Sequence, residues 1–481
     1  MLYRFRWVFC QLDALRHCFP QNLRQFLNEL PETLDETYER ILRSINKAQK
    51  DHARRLLHCL TIAVRPLRVE ELAELLAFDF QTSSSRGIPK LKEDWRWDDQ
   101  EEAVPSTCSS LIAIVPSGDS RVVQFSHFSV KEYLTSLRLA QSHGDVSRFH
   151  IDLDAAHTIL AQACLGKLLR LDKHAGNSDA KEFPLVNYAV QHWMDHARFG
   201  KVSSRVRDGM DDLFDISKPH FAAWLRVHDM DEDWIGFSPW SRGLDHGGSP
   251  LYYAAFCGFY DLVERLIMKH PEQVNAGGGR ILAPLPAALY KGHSHITNLL
   301  HRHGAVVDVR GNKERTPLHN ASMYGRVDIM RWVLNHGADA NARQDDYWTP
   351  LHLAACNMQF EAVQVLLERD ADANSQNDVG KTPMYEALSS YSLPPEREVV
   401  DILRQLLEHG AHTNIRDCSH STPLHRASSQ GRLEVARLLL SHGANVDEKD
   451  KEGKTPFQVA SEEGHHEIMK LLSEHSVVAQ P

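Results

Sequence analysis

The second half of the chain is periodic, and this period constrains the fold more than any other feature of the sequence. Seven prolines recur at intervals of 34, 33, 33, 33, 40 and 33 residues: Pro250, Pro284, Pro317, Pro350, Pro383, Pro423 and Pro456. Three of them belong to the string TPLH, which begins at Thr316, Thr349 and Thr422. A fixed period of this length is typical of solenoids, in which each repeat packs only on its neighbours.

A single copy of the repeat predicts a pair of short helices. Thr316 is suited to cap a helix that begins at Pro317, because the missing N–H of proline costs nothing there. Gly325 ends this helix, and a second helix stops at Gly337, which suits a left-handed C′ position. The apolar residues at helical spacing are expected to face inward: Leu318, Ala321, Ile329, Val333 and Leu334. One such pair cannot bury its apolar side alone, so neighbouring pairs must stack.

This pattern resembles the ankyrin repeat over residues 245–478, in about seven copies. The resemblance implies a solenoid with a concave protein-binding surface. Asp370 stands where most copies have glycine, and aspartate is among the few residues that tolerate the left-handed conformation. Seven extra residues lie near positions 390–397. Because loop-closure entropy grows slowly with length, we expect a tolerated bulge there rather than a break in the stack.

The first half of the chain has the pattern of a helical arm. Thr33 and Glu36 have the spacing of a capping box ahead of an apolar helix. Two further helices are expected over residues 53–64 and 69–76. The polar stretch 81–102 is typical of an exposed loop.

A β-hairpin follows these helices in the pattern. Strands LIAIV from Leu111 and VVQF from Val122 flank the turn PSGDSR, and a helix, FSVKEYLTSLRLA, follows from Phe128. Three helices and a hairpin suggest a winged-helix module. Residues 51–150 carry 12 Lys plus Arg against 14 Asp plus Glu, so a regulatory packing role is favoured over duplex binding.

Several strings of the first half resemble the part of fungal NACHT/ankyrin proteins that follows the nucleotide-binding domain; these proteins are NOD-like signalling ATPases of the STAND class. The strings are FRWVFCQLDALRHCF, LPETLDETYERIL, RPLRVEELAELLAF, CSSLIAIV, VVQFSHFSVKEYLTS, PLVNYAVQHWMDHA and DISKPHFAAWLRVHD. The resemblance implies four segments: the tail of a NACHT-like domain at 1–30, a winged-helix-like module at 31–145, a helical connector at 146–240 and ankyrin repeats at 245–478. No position matches the nucleotide-binding residues of that family.

Composition and charge argue against several classes of function. A net charge of -10 gives no reason to expect nucleic acid or an anionic membrane as partner. The eight cysteines include no C-x-x-C pair, and no apolar run approaches the length of a membrane span or a signal-peptide core, so a cytoplasmic protein without membrane contact is expected. The sequence contains no G-x-S-x-G elbow, the motif that would indicate a hydrolase.

Two further patterns could suggest a ligand and are better explained by the repeat. The strings GKT at Gly380 and Gly453 lack the earlier glycine of a phosphate-binding loop, because Ser375 and Glu448 stand there, so no nucleotide is expected. The 29 histidines largely recur at repeat positions, such as His319 in TPLH. We therefore expect no metal, no cofactor and no catalytic residue.

Candidate partner-binding residues follow from the register of the repeats. An aromatic pair, Tyr347 and Trp348, is expected at a hairpin tip, where it would suit a binding hot spot. Variable positions along or near the end of first helices supply the others: Met323, Tyr324, Asn357, Met358, Arg426 and Gln430. A solvated side chain without a partner is the alternative at each of these positions.

The sequence thus predicts a mainly α protein, in which a helical arm with a winged-helix-like module and a small β-hairpin precedes an ankyrin-repeat solenoid. The leading hypothesis is a non-enzymatic scaffold, the sensor or regulatory part of a NOD-like signalling receptor, which binds a protein through the concave ankyrin face. The alternative is a truncated fragment of a STAND NTPase whose phosphate-binding loop lies upstream of Met1.

Overall fold

Two compact units divide the chain near residue 235. The computed structural model describes residues 33–80, 88–95, 104, 108, 110–118, 120–142, 144–171, 184–227, 248–279, 281–389 and 394–478. The segment 1–30, most of the expected loop 81–102 and part of the expected bulge 390–397 lie outside these ranges. Both units are built mainly from helices, which confirms the predicted fold class.

The first unit combines helices with short strands. Its helices, within the described residues, are α1 (Leu34–Ser44), α2 (Lys50–Ile62), α3 (Val69–Leu76), α4 (Phe128–Leu134), α5 (Leu137–Ala140), α6 (Leu153–Leu168), α7 (Pro184–Ala197), α8 (Val202–Arg205), α9 (Arg207–Leu213) and α10 (His220–Val227). Its strands there are β1 (Leu67–Arg68), β2 (Phe78–Asp79), β3 (Lys90–Leu91), β4 (Ile112–Ser117) and β5 (Ser120–Phe125).

Helix α1 begins where the capping box predicts it. The Thr33 hydroxyl accepts from the Glu36 N–H at 3.2 Å, and the Glu36 carboxylate accepts from the Thr33 N–H at 3.3 Å. The segment FSVKEYLTSLRLA differs from the expectation, because it forms α4 and α5 instead of one helix. Ser136 separates the two: its hydroxyl accepts from the Leu139 N–H and caps α5.

The predicted hairpin is present and has a third strand beside it. β4 and β5 pair antiparallel, from Ile112 opposite Phe125 to Ser117 opposite Ser120. β1 pairs with the other edge of β5, which gives a three-stranded sheet in the order β1-β5-β4. A strand of two residues is too short to show alternation in the sequence, so this pairing was not predictable from pattern.

The core of the first unit contains an aromatic cluster and a buried ion pair. Trp193 and Trp224 are both fully buried and meet edge to face, with ring centroids 5.7 Å apart. Lys167 Nζ lies 2.6 Å from Glu74 Oε1, and both side chains are 3% exposed. The second oxygen of Glu74 accepts from the Leu185 N–H, so one carboxylate links α3, α6 and α7.

The second unit consists of seven stacked helix pairs, numbered here as repeats 1 to 7. The pairs are α11 (Pro250–Cys257) with α12 (Tyr260–Lys269), α13 (Pro284–Tyr290) with α14 (Ser294–Arg302), α15 (Pro317–Met323) with α16 (Val327–Asn335), α17 (Pro350–Cys356) with α18 (Phe360–Leu367), α19 (Pro383–Leu388) with α20 (Glu396–Glu408), α21 (Pro423–Ser429) with α22 (Leu433–Ser441), and α23 (Pro456–Glu462) with α24 (His466–Val478). We call the members of each pair the first and the second helix, and the turn before each first helix its tip.

The repeats have the helix capping, the burial and the helix ends that the sequence predicts. Thr316 caps a helix whose first residue is Pro317, and all five residues expected to face inward are less than 10% exposed. Gly337 has φ of 90°, the left-handed conformation that ends the second helix. Asp370 takes the corresponding position with φ of 59°, as the sequence predicts.

The extra residues of repeat 5 do not interrupt the stack. Helix α20 is 13 residues long, against 8 to 10 in the second helices of repeats 1, 2, 3, 4 and 6, and its added turn buries Val399 completely. Glu396, in that turn, accepts hydrogen bonds from the N–H groups of Glu434 and Val435 at 2.9 and 3.3 Å. These are first-turn groups of α22, so the insertion caps a helix of the next repeat.

Across the part of the chain that the structure describes, no helix has both the length and the apolar composition needed to cross a bilayer.

Candidate protein-binding face of the repeat stack

Successive tips are joined by main-chain hydrogen bonds. The N–H of Asp345 donates to the carbonyl of Lys313 at 3.1 Å, and that of Asp378 donates to Asp346 at 3.1 Å. Cys418 donates to Val379 and Lys451 to Ser419 in the same way, at 2.9 and 3.0 Å. This ladder holds the tips of repeats 3 to 7 in a continuous row.

The histidine of TPLH joins each first helix to the next tip. In repeat 4, His352 Nδ1 lies 3.2 Å from the Thr349 N–H and 2.8 Å from its hydroxyl, and Nε2 lies 3.0 Å from the Lys381 carbonyl. His319 and His425 make the same contacts with Trp348 and Lys454. Burial lowers the pKa of His319 and of His352 to about 4, so both are neutral at pH 7 and Nε2 donates.

The two GKT strings and the histidine-rich string, which could suggest ligand sites, take part in the tips and in the contacts between repeats. Both GKT strings lie in tips: the Lys381 carbonyl accepts from His352, and Thr382 caps α19. His293, from the histidine-rich string of repeat 2, places Nε2 3.2 Å from the Phe256 carbonyl of repeat 1. Among the described residues, no group of three or more His, Cys, Asp or Glu is placed to hold a metal ion.

Tyr347 lies at the tip of repeat 4, as the sequence predicts. Its side chain is 52% exposed, and the Arg343 guanidinium lies 5.7 Å from the ring centroid. Its backbone is left-handed, with φ of 59°. The same tip position is occupied by glycine in repeats 5 and 7, Gly380 and Gly453, with φ of 76° and 77°, and by Glu314 and His420 in repeats 3 and 6, with φ of 56° and 57°. A bulky residue in this conformation is strained, and such strain concentrates at functional sites.

Trp348 is half-buried beside Tyr347, at the root of the same tip. Its carbonyl accepts from Gln344 N–H and from His319, and its ring lies 5.8 Å from that of His352. These hydrogen bonds use the main-chain carbonyl of Trp348. Replacing the indole would therefore leave them in place.

The other candidates of repeats 3 and 4 lie at the end of the first helices. Met323 and Tyr324 are half-buried, and Asn357 is exposed and donates to the Leu353 carbonyl. Met358 differs, because it packs against the core of the stack and has φ of 55° where Gly325 stands in repeat 3. The structure therefore gives Met358 a packing contact that the sequence pattern did not indicate.

The candidates of repeat 6 are both half-buried. Gln430 Nε2 donates to the Leu388 carbonyl of repeat 5 at 2.7 Å, so this amide contributes to the contact between repeats. Arg426 is on the first helix, and its Nε is buried without a hydrogen-bond partner. Glu386, the corresponding residue of repeat 5, interacts with Arg426 electrostatically.

Two cations of the same face were missed from the sequence. Arg315 and Lys381 precede the Thr-Pro of repeats 3 and 5, where Trp348 stands in repeat 4. The His-to-carbonyl bonds place Trp348, Lys381 and Lys454 in one column, and Arg315 has the same position in the sequence of its repeat. Reading the residue before each Thr-Pro, and not only the positions after it, would have found them.

Comparisons with known proteins agree with this architecture. Residues 337–417 and 396–480 match the family described as ankyrin repeats (3 copies), and residues 300–354 match ankyrin repeats (many copies). Residues 38–147 match the family described as GPI inositol-deacylase, winged helix domain.

A curated fungal protein and a solved structure are also similar. The "azaphilone pigments biosynthesis cluster protein L" of Monascus ruber is 33% identical over 309 residues, which is 60% of this chain and 63% of that protein. The chain thus spans less than two thirds of that relative. The crystal structure of the ankyrin repeat domain of Bcl-3, a member of the IkappaB family, aligns with 48% of this chain and 100% of its own, at 28% identity and a TM-score of 0.42.

These matches locate two known modules within the chain. The first unit contains the winged-helix match, and the second contains all of the ankyrin matches. The chain therefore contains ankyrin repeats and a segment that matches a winged-helix domain, and the repeats have the architecture of a protein-interaction scaffold.

Proposed function

We propose that the protein is a non-enzymatic scaffold that binds a partner protein through the face formed by the tips and first helices of repeats 3 to 6. The carrying observation is Tyr347, a large, exposed aromatic side chain in a left-handed tip position that is glycine in repeats 5 and 7 and a polar residue in repeats 3 and 6. Retaining tyrosine there costs about 1 kcal/mol or more, and contact with a partner would offset that cost.

The order of the two modules supports a place for this scaffold in signalling. A winged-helix module followed by ankyrin repeats is the order of the NOD-like receptors that the sequence resembles. We propose that the repeats act as the sensor of such a receptor and that the first unit transmits partner binding. An upstream NACHT core would supply the nucleotide site, and the present chain would then be the regulatory part of a STAND NTPase.

Replacement of the tip aromatics tests the proposed binding face. The full chain and its Tyr347→Ala and Trp348→Ala variants would be immobilised, exposed to extract from the source cells, and the captured proteins quantified by mass spectrometry. Because hot-spot residues carry most of the binding free energy, each variant should lose a captured protein by roughly tenfold or more. The melting temperature should change little, since exposed tips contribute little to stacking.

Phe360 provides the matched control. It is an exposed aromatic residue of the same repeat, 45% exposed, at the start of the second helix. Phe360→Ala should retain the captured protein. Tyr347→Gly should lose the protein while keeping or raising the melting temperature, since glycine occupies this left-handed position in the tips of repeats 5 and 7. Equal capture by all variants would contradict the proposed face, and a fall in melting temperature for Trp348→Ala would make that residue a packing residue.

A further inference from the structure

The column of residues before each Thr-Pro, together with Arg426, forms a charged strip along the binding face. We define the basic strip as Arg315, Trp348, Lys381 and Arg426, which belong to repeats 3, 4, 5 and 6 in turn. All four side chains are half-buried, so they line the face without being enclosed in the core. Tyr324 lies within electrostatic reach of Arg315, which brings a second aromatic ring to the same end of the strip.

The cations of the basic strip are poorly neutralised by the protein. Arg315 Nε donates to a neutral amide, Gln344 Oε1 at 2.9 Å. Lys381 Nζ lies 3.9 Å from Glu386 Oε1, and Arg426 also interacts with that carboxylate. Lys381 and Arg426 therefore share the Glu386 carboxylate, whereas the partner of Arg315 is a neutral amide. Burial also raises the pKa of Glu386, so this carboxylate holds its negative charge less firmly than an exposed one.

Two other cations of the stack have carboxylates of their own. Lys454, at the equivalent tip position of repeat 7, pairs with Glu452 at 2.8 Å and with Glu462 at 2.7 Å. Arg416 pairs with Glu448 at 2.6 Å. Among the described residues, Arg315, Lys381 and Arg426 thus lack the close carboxylate that Lys454 and Arg416 have, which leaves positive charge available on this face.

Arg426 points most directly to an anionic partner. Its Nε has lost contact with water and has no hydrogen-bond acceptor among the described residues. A buried polar group without a partner costs about 1 to 3 kcal/mol. A carboxylate that paired with the terminal guanidinium nitrogens would offset this cost, because such charge-assisted bonds are about twice as strong as neutral ones.

We propose that the basic strip binds an extended acidic segment of the partner protein. This inference rests on the proposed function, and it adds the chemistry of the partner. Carboxylates of the segment pair with Arg315, Lys381 and Arg426, and an apolar side chain between them packs on Trp348. The exposed tip residues Asp345 and Asp378 border the strip and repel a segment that is shifted toward the tips.

The spacing of the repeats sets the pattern expected in the segment. Packed helices lie roughly 8 to 10 Å apart, so Arg315 and Lys381, two repeats apart, are separated by about 16 to 20 Å. An extended chain rises about 3.3 Å per residue. Acidic residues five or six positions apart should therefore face these two cations, with the apolar residue near the middle.

The proposal can be tested with a random peptide library of about 12 residues, which spans about four repeats when extended. Displayed peptides would be selected on the full chain and on its triple variant Arg315→Gln, Lys381→Gln, Arg426→Gln. The matched control changes three exposed arginines of second helices, Arg331→Gln, Arg404→Gln, Arg437→Gln, and alters the net charge equally. Circular dichroism melting would establish that each variant is folded.

The wild type and the control should enrich peptides with two acidic residues five or six positions apart. A labelled consensus peptide, measured by fluorescence anisotropy, should bind the triple variant roughly tenfold or more weakly and should weaken as salt rises. Enrichment of neutral or basic peptides, no enrichment, or equal binding by the triple variant would overturn the inference. Binding of labelled single-stranded DNA that is lost only in the triple variant would overturn it in favour of a nucleic acid.

The two proposals fail separately in these experiments. If Tyr347→Ala loses the captured protein while the triple variant retains it, the proposed binding face is supported and the proposed acidic segment is rejected. If an acidic peptide binds the basic strip but Tyr347→Ala keeps every captured protein, the strip is a peptide site outside the proposed face.

Discussion

Repeat 4 holds three side chains in left-handed backbone positions that glycine fills in at least one adjacent repeat. Tyr347, Met358 and Asp370 have φ of 59°, 55° and 59°. Their glycine counterparts are Gly380 in repeat 5, and Gly325 and Gly337 in repeat 3. Each such residue costs about 1 to 2 kcal/mol relative to ordinary backbone. Among the described residues, repeat 3 has two such side chains, Lys313 and Glu314, and repeat 4, which presents the exposed aromatic tip, has three.

The buried histidines make the stack sensitive to mild acid. In the folded chain His352 takes up a proton only near pH 4, because burial lowers its pKa, whereas in the unfolded chain it does so near pH 6.5. The unfolded state thus binds more protons between these values, so the free energy of unfolding falls as the pH drops through this window. The loss amounts to about 3 kcal/mol for this group at most.

His352→Gln should remove that part of the pH dependence. Glutamine is compatible with the position, because Gln458 Oε1 accepts from the Thr455 N–H at the equivalent place in repeat 7. The variant should be less stable at pH 7, having lost the bond to the Lys381 carbonyl, and its urea midpoint should fall less than that of the wild type between about pH 6.5 and 4. Parallel pH profiles for the two proteins would contradict this account.

At the scale of elements, the insertion in repeat 5 stabilises the repeat that follows it. The N-cap residue of α22, Arg432, makes no side-chain cap, and Glu396 performs this role from the preceding repeat. A negative side chain is also favoured there by the dipole of α22. The added residues are thereby connected to repeat 6 instead of projecting from the stack as a simple bulge.

Loss of this cap should be measurable. Glu396→Ala should lower the free energy of unfolding by about 1 kcal/mol, the usual cost of removing a capping side chain. Glu396→Gln, which keeps an acceptor oxygen, should lower it less. Urea unfolding followed by circular dichroism would measure both, with Glu398→Ala, an exposed carboxylate on the same helix, as the control. Equal effects of the changes at 396 and 398 would show that the cap contributes nothing.

The elements of the repeats were largely predictable from sequence, whereas the contacts between them were not. Thr-Pro starts and glycine ends act within a few residues, so the pattern locates the helices well, as Thr316 and Gly337 show. Glu396 reaches a backbone 38 residues away, and no local pattern reports such a contact. For the same reason Met358 was predicted as a surface candidate, although its side chain packs on the core.

For the whole molecule, two units with separate cores predict two unfolding transitions. The first core contains the buried pair Lys167 and Glu74, and the second is the continuous core of the stack, in which Leu351 is fully buried. Lys167→Met removes the cation from a buried carboxylate, which costs about 3 to 5 kcal/mol. Leu351→Ala leaves a cavity, which costs about 2 to 5 kcal/mol.

Differential scanning calorimetry would separate these effects. Lys167→Met should lower the temperature of one transition only, and Leu351→Ala should lower the other. Arg437→Gln, at an exposed ion pair, should move neither by much. A single transition lowered by both Lys167→Met and Leu351→Ala would mean that the two units unfold together.

The bond from each TPLH histidine to the following tip has a consequence for how such a chain can change over generations. The acceptors are the main-chain carbonyls of one tryptophan and two lysines, Trp348, Lys381 and Lys454. Since the joint does not depend on the side chain of the acceptor, mutation can alter that side chain without weakening the joint. The side chains that select a partner can thus change while the hydrogen bonds between repeats are kept.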